Sequence, residues 1–172
     1  MNTKQQFLEL AKPFEFEEIE VKPQSISKSK DKALCVPYIR ASAARARLNA
    51  IFEPWNWHVE YREVLAGRGG VVCRLTVTTA EGQTVVREGM AGFSDIEAVK
   101  GGESDSFKRA FAALGNDTLQ HAELGWHPIK VYGEGERARF DGWKEPDAIK
   151  RKYETLMGLG KKAEPARPQP AT

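Results

Sequence analysis

Residues 101–116 read GGESDSFKRAFAALGN, and the rest of the chain is organised around this stretch. Phe107, Ala110, Phe111 and Leu114 fall at i, i+3, i+4 and i+7, the spacing of one buried helix face. Gly101 and Gly102 predict a loop running into the helix, Ser104 or Asp105 its first-turn cap, and Gly115-Asn116 its C-terminal stop. Lys108 and Arg109 stand directly beside the apolar face. Cations on a rigid element lose less side-chain entropy on meeting a polyanion than cations on a flexible tail. The bland alternative is a solvated basic edge on an ordinary amphipathic helix.

The chain has 172 residues, enough for one domain with a real core. Its 26 Lys and Arg against 24 Asp and Glu leave a formal charge of only +2, so an argument for nucleic acid must rest on where the cations lie. No run of about 18 apolar residues is present to span a membrane. The opening MNTKQQFLELAKPFEFEEIE lacks an apolar signal core and is rich in acids, which predicts neither a secretory nor a transit peptide. Cys35 and Cys73 are too few for a disulfide scaffold, and the expected setting is a reducing cytoplasm.

Upstream, residues 1–12 predict a short helix with Phe7, Leu8 and Ala11 inward, ended by Pro13. Phe14, Phe16, Ile19 and Val21 predict an extended segment stopped by Pro23. Residues 24–33, with Lys28, Lys30 and Lys32 at alternate positions, predict an exposed loop. Residues 37–52, PYIRASAARARLNAIF, predict a helix opened by Pro37. Its stripes are Arg40, Ala44 and Arg47 on one side, and Ile39, Ala43, Ala46 and Ala50 beside them. The arginines either meet phosphate or pair with acids on a neighbouring element.

Three alternating stretches follow, from Trp57, from Val71 and from Gln83, with AGRGG (Arg68 at its tip) and Glu81-Gly82 as turns. They predict an antiparallel meander whose polar face carries Arg62 and Arg74 on adjacent strands. After Asn116, Asp117–Glu123 is expected to extend the helix past a kink, and 125–143 to be irregular. Residues 146–157 predict an amphipathic helix with Ile149, Tyr153 and Leu156 on one side. The expected organisation is a domain over 1–157 and a disordered Pro/Ala/Lys tail over 158–172.

Catalytic chemistry finds little purchase. Asp95, Glu97 and Lys100 lie near one another, but a metal-dependent nuclease needs its acid and lysine one residue apart on a strand, and Glu97 and Lys100 are three apart. His58, His121 and His127 show no metal-ligand spacing with one another or with either cysteine. There is no phosphate-binding GxxxxGK[ST] loop, no dinucleotide fingerprint and no nucleophile elbow. The expectation is therefore a protein without catalytic residues, metal or cofactor. A binding surface remains, with cations disposed along a phosphate backbone and with Trp55 and Tyr61 available for stacking. The alternative for Trp57 is core burial, since it falls on the apolar strand face.

The order of these elements resembles the single-strand DNA annealing proteins of the Rad52 superfamily. Tyr38, Ile39, Asn49, Phe52 and Trp57 match its YI…N-xx-F-xxxx-W segment, and Phe107, Lys108, Arg109, Ala110, Phe111 and Gly115 its KRAL-xx-FG helix. The opening KPFEFEEIEVKP, the basic loop and ALCVPYI look most like the bacterial and phage branch that includes DNA damage response protein A. The resemblance covers about residues 10–120. Ala43 and Ala112 stand where the family has arginines, and Arg40, Arg45 and Arg47 are the cations nearest the first of these.

The resemblance implies an α+β domain with a β-β-β-α core, assembled into a closed homo-oligomeric ring with no membrane association. It implies single-stranded DNA in a basic groove and annealing that needs neither nucleotide nor metal. Duplex DNA and 3′ ends are further partners it allows. The candidate DNA-binding residues are Lys108, Arg109, Arg40, Arg47, Arg62, Arg74, Lys100 and Arg45. End protection or scaffolding without annealing, and a nuclease using Asp95 and Glu97, are the other readings.

Overall fold

The computed structural model describes residues 1–65, 69–93, 98–119, 122–133 and 135–159, with the backbone alone at 98–100 and 136. Arg68, Asp95, Glu97, His121, the Lys100 side chain and the tail beyond 159 lie outside the described residues. The architecture is mixed α+β, with four α-helices and two antiparallel sheets among the described residues. The chain divides into two compact units: Met1–Val21 with Pro37–Ala122, and Lys22–Val36 with the segment from Glu123 onward.

In the first unit, β3 (Trp57–Val64), β4 (Gly70–Thr78) and β5 (Thr84–Gly92) pair antiparallel in sequence order. Alternation along β4 buries Val71, Cys73, Leu75 and Val77 on one face. Helix α3 (Ala98–Gly115) covers that face, with Phe107, Ala110 and Phe111 fully buried and Leu114 nearly so. The helix already includes Gly101, Gly102, Ser104 and Asp105, so the expected loop and cap there give way to a longer helix. Its glycines serve packing: a Cβ on Gly102 would stand 2.9 Å from Val71 Cγ2. Gly89 on β5 plays the same part from the sheet, since a Cβ there would overlap the Ala110 nitrogen and the Ser106 carbonyl.

Helix α2 (Ala41–Phe52) starts four residues later than expected, because Pro37, Tyr38 and Ile39 end a strand, β2 (Lys32–Ile39). Pro37 lies past Cys35, the last β2 residue in register with β6, so its missing N–H costs no bond to that strand. Arg40 becomes the N-cap residue, and the buried stripe is Ala44, Leu48 and Phe52, while Ala46 and Ala50 face solvent. Helix α1 (Thr3–Leu10) likewise buries Gln6 and Leu10, leaving Leu8 and Ala11 exposed. The Gln6 amide turns inward because it finds partners: it donates to Ile51 O at 3.1 Å and accepts from Ala80 N–H at 2.8 Å. Helix α3 ends at Gly115, and the described residues 116–119 and 122–124 are not helical. Gly115 takes a φ of +140°, and the buried Asn116 amide donates to Leu10 O at 2.6 Å and Lys12 O at 3.0 Å.

The four-stranded sheet has the order β1-β2-β6-β7, with β1 (Ile19–Ile26), β6 (Gly125–Tyr132) and β7 (Arg139–Trp143). Two expectations fall here. Pro23 lies inside β1, permitted because β1 is an edge strand. The region 125–143, expected to be irregular, holds two strands whose register shifts at Lys130/Val131, an irregularity that breaks their alternation. Helix α4 (Pro146–Met157) buries Ile149 and Tyr153 and leaves Leu156 exposed.

Candidate nucleic-acid interface

Lys108 and Arg109 flank the buried face of α3, about 100° apart around the axis. They do not face each other. Lys108 is half-buried, with its Nζ 2.6 Å from the Asp105 carboxylate one turn back. Arg109 is exposed and makes no ion pair among the described residues. Its Cβ lies beside Gly89, so it borders β5. The packing of Phe107 against Phe111, ring centres 6.4 Å apart, and of Phe111 against Phe14, at 6.0 Å, fixes the helix that carries both cations.

The three arginines of the α2 region have separate fates. Arg47 donates to the carbonyls of Lys12 and Pro13, lies 3.5 Å over the Phe14 ring, and approaches Glu18 at 3.7 Å. Its guanidinium is held within the protein by these groups. Arg45 donates to the Tyr61 hydroxyl at 3.1 Å and sits 4.4 Å over the Phe107 ring. Its described partners are a phenol and an aromatic face, which fix its position and leave its charge uncancelled. Arg40 is exposed at the N-terminus of α2.

On the uncovered face of the three-stranded sheet the register interleaves opposite charges. Arg74 stands between Glu60 on β3 and Glu88 on β5, and Arg62 lies 3.6 Å from Glu88. Arg62 and Arg74 thus share a face, as expected, and the same face carries the acids that screen them.

Both thiols are held protonated: burial pushes Cys35 up to about 12 and Cys73 up to about 11. Neither is a nucleophile at neutral pH. Burial also raises the Tyr61 phenol, against the lowering effect of Arg45. Among the described residues no three His, Cys, Asp or Glu side chains group as metal ligands, and no helix is long and apolar enough to cross a membrane.

Of the aromatics named for stacking, Trp55 is 76% exposed, while Tyr61 is half-buried under Arg45. Trp57 is half-buried and donates from Nε1 to Asn49 Oδ1 at 2.9 Å. The lysine-rich segment is a hairpin turn in which Ser27 N–H donates to Lys32 O at 2.9 Å. The Ser29 and Ser27 hydroxyls hold the Asp31 carboxyl below its ordinary range. Lys28, Ser29 and Lys30, with Val131, Gly133, Gly135 and Ala138, frame a pocket of about 500 Å³.

Sequence reasoning missed two residues here. Arg87 donates to Ala113 O at 3.0 Å near the end of α3. Trp126, on β6, is 53% exposed. The signal for Trp126 was the even-numbered series Trp126, Pro128, Lys130, masked by the flanking glycine and the proline.

These features define an α+β protein with cations fixed on a helix and no assembled catalytic group among the described residues. The family model described as Rad52/22 family double-strand break repair protein matches residues 2–124. The match spans most of the chain, and the protein belongs to that family. Its family-level function is DNA repair by recombination. No curated protein matches the chain.

Proposed function

We propose that this protein binds single-stranded DNA and promotes annealing of complementary strands, without ATP and without making or breaking a bond. The observation that carries this reading is the family match over a region that holds Lys108 and Arg109 on a rigid, sheet-packed helix. Cations fixed on a common scaffold neutralise two like-charged strands and order their backbones, which lowers the barrier to pairing. Lys108 and Arg109 form the centre of the contact. Arg45 and Arg40 come next, with Arg45 the better replacement for the arginine absent at Ala43, because Tyr61 and Phe107 pre-position it. Lys100 extends the same helix toward its start, and Arg62 and Arg74 contribute less because of their acids.

The working form in this proposal is a closed ring, each subunit supplying a β3-β4-β5-α3 core, acting on DNA in the cytoplasm or nucleoid. The basic hairpin and the ALCVPYI strand support the bacterial and phage branch named above.

The test mixes labelled complementary oligonucleotides with the protein in EDTA, without nucleotide, and follows duplex formation alongside native mass. Faster pairing by an oligomer is the expected result. Protection of 3′ ends with no change in pairing rate, or metal-dependent degradation of the strands, contradicts it.

A further inference from the structure

The four-stranded sheet has one buried face, on which Ala33, Cys35 and Ile129 lie, and one that is largely open. Side chains alternate across a strand, and residues directly opposite share a face. Lys32 and Leu34 on β2 therefore share the open face with their partners Pro128 and Trp126 on β6. Lys130 follows Pro128 on that face by the same alternation. Lys144 immediately follows β7, and its N–H donates to Pro128 O at 3.0 Å, which carries the row to the next strand.

Lys32 and Lys144 thus flank Pro128, Lys130 follows it, and the exposed Trp126 precedes it on the same face; all three lysines are exposed. No carboxylate occupies a same-face position on β2 or β6 among the described residues. Asp31, beside Lys32, accepts from the Ser27 and Ser29 hydroxyls, and the Lys32 charge also favours its ionised form. The contrast with the other sheet is sharp, since there Arg74 stands between Glu60 and Glu88, and Arg62 lies 3.6 Å from Glu88.

We propose that this face is a second contact for single-stranded nucleic acid, with Trp126 stacking on a base and Lys32, Lys130 and Lys144 contacting phosphates. A planar ring beside exposed cations, on strands whose same face carries no carboxylate on β2 or β6 among the described residues, matches a ligand that presents bases and phosphates together. Trp126, Pro128, Lys130 and Lys144 lie beyond residue 124, where the family match ends, so family membership does not supply this contact. Nor does it depend on the annealing reading, because it uses none of the residues on α2 or α3.

The experiment measures binding of the full chain to oligo(dT), and to an abasic strand of equal length, by fluorescence anisotropy over a salt series. Trp126→Ala is expected to weaken oligo(dT) binding on the order of tenfold, with Trp126→Phe retaining most of the affinity. The abasic strand is expected to bind Trp126→Ala and the parent alike. Replacing Lys32, Lys130 and Lys144 together with alanine should reduce the salt slope by about two, at roughly 0.7 per phosphate contact on a single strand. Thermal melting of Trp126→Ala should match the parent, since the ring is exposed. Unchanged oligo(dT) affinity in Trp126→Ala overturns the proposal, and so does an equal loss on the abasic strand. Loss of self-association at unchanged affinity would assign the face to contact between copies and also overturns it. Any of these results leaves the α3 reading standing, because Lys108 and Arg109 are intact in every variant.

Discussion

The two sides of β3-β4-β5 carry cations to opposite effect. On the open side, Arg62 and Arg74 alternate with Glu60 and Glu88 across three strands, and the charges cancel within the sheet. On the helix side, among the described residues, Arg109 has no ion pair and Arg45 meets a phenol and an aromatic ring, while Lys108 pairs with Asp105 of its own helix. The sequence supplies arginine to both sides. Strand register, which sets acids opposite bases on one side, decides which arginines keep a field that reaches into solvent. The strand register, rather than the number of basic residues, is what sets the open side apart.

The largest expected effect breaks the platform on which the helix side depends. Phe111→Ala removes a fully buried ring packed against Phe14 and Phe107, and should cost about 3–5 kcal/mol in chemical denaturation. A loss below about 1 kcal/mol would mean that the helix is not held by this face.

A smaller effect separates structural from ligand-directed cations. Arg47→Ala leaves the Pro13 carbonyl without its donor and should cost about 1–3 kcal/mol. The salt slope of single-strand binding should stay unchanged. A lowered slope with unaltered stability would return Arg47 to the DNA contact.

The smallest effect sharpens the comparison from the other side. Glu60→Gln with Glu88→Gln frees Arg62 and Arg74, and should change stability by less than about 1 kcal/mol, because the pairs are exposed. The salt slope of oligonucleotide binding should rise, since up to two more cations become available. If it does not, the acids are not what silences that face.

What could be read from the sequence followed local periodicity. The apolar stripe of α3, the alternation in β3 to β5 and the span of α4 were legible because each keeps one period over its length. The stretch 37–52 was misread at its start because alanine-rich sequence favours helix, while Pro37 suits an opening helical turn and the end of a strand equally. Strands β6 and β7 were hidden by their irregular register and by Gly125, Pro128 and Gly142. At the site, Lys108 and Arg109 were visible as neighbours of a buried face. The fate of Arg45 and Arg47 was not, because two residues on one helix differ only through what other elements bring to them. Tyr61 reaches Arg45 from β3, and the carbonyls that hold Arg47 come from the segment after α1.

The central claim, that the helix side of the sheet is where DNA is held, is tested most directly by Lys108→Ala combined with Arg109→Ala. The measurement is single-strand affinity across a salt series, with native mass taken on the same samples. Neither side chain contributes to the buried stripe, and Lys108 loses a single ion pair to Asp105, so stability should move by no more than about 1 kcal/mol per site. The salt slope should fall by about 1.4, from roughly 0.7 per lost phosphate contact, and by the same amount for oligonucleotides of different sequence. A variant that keeps the parent's mass, affinity and salt slope would contradict the account.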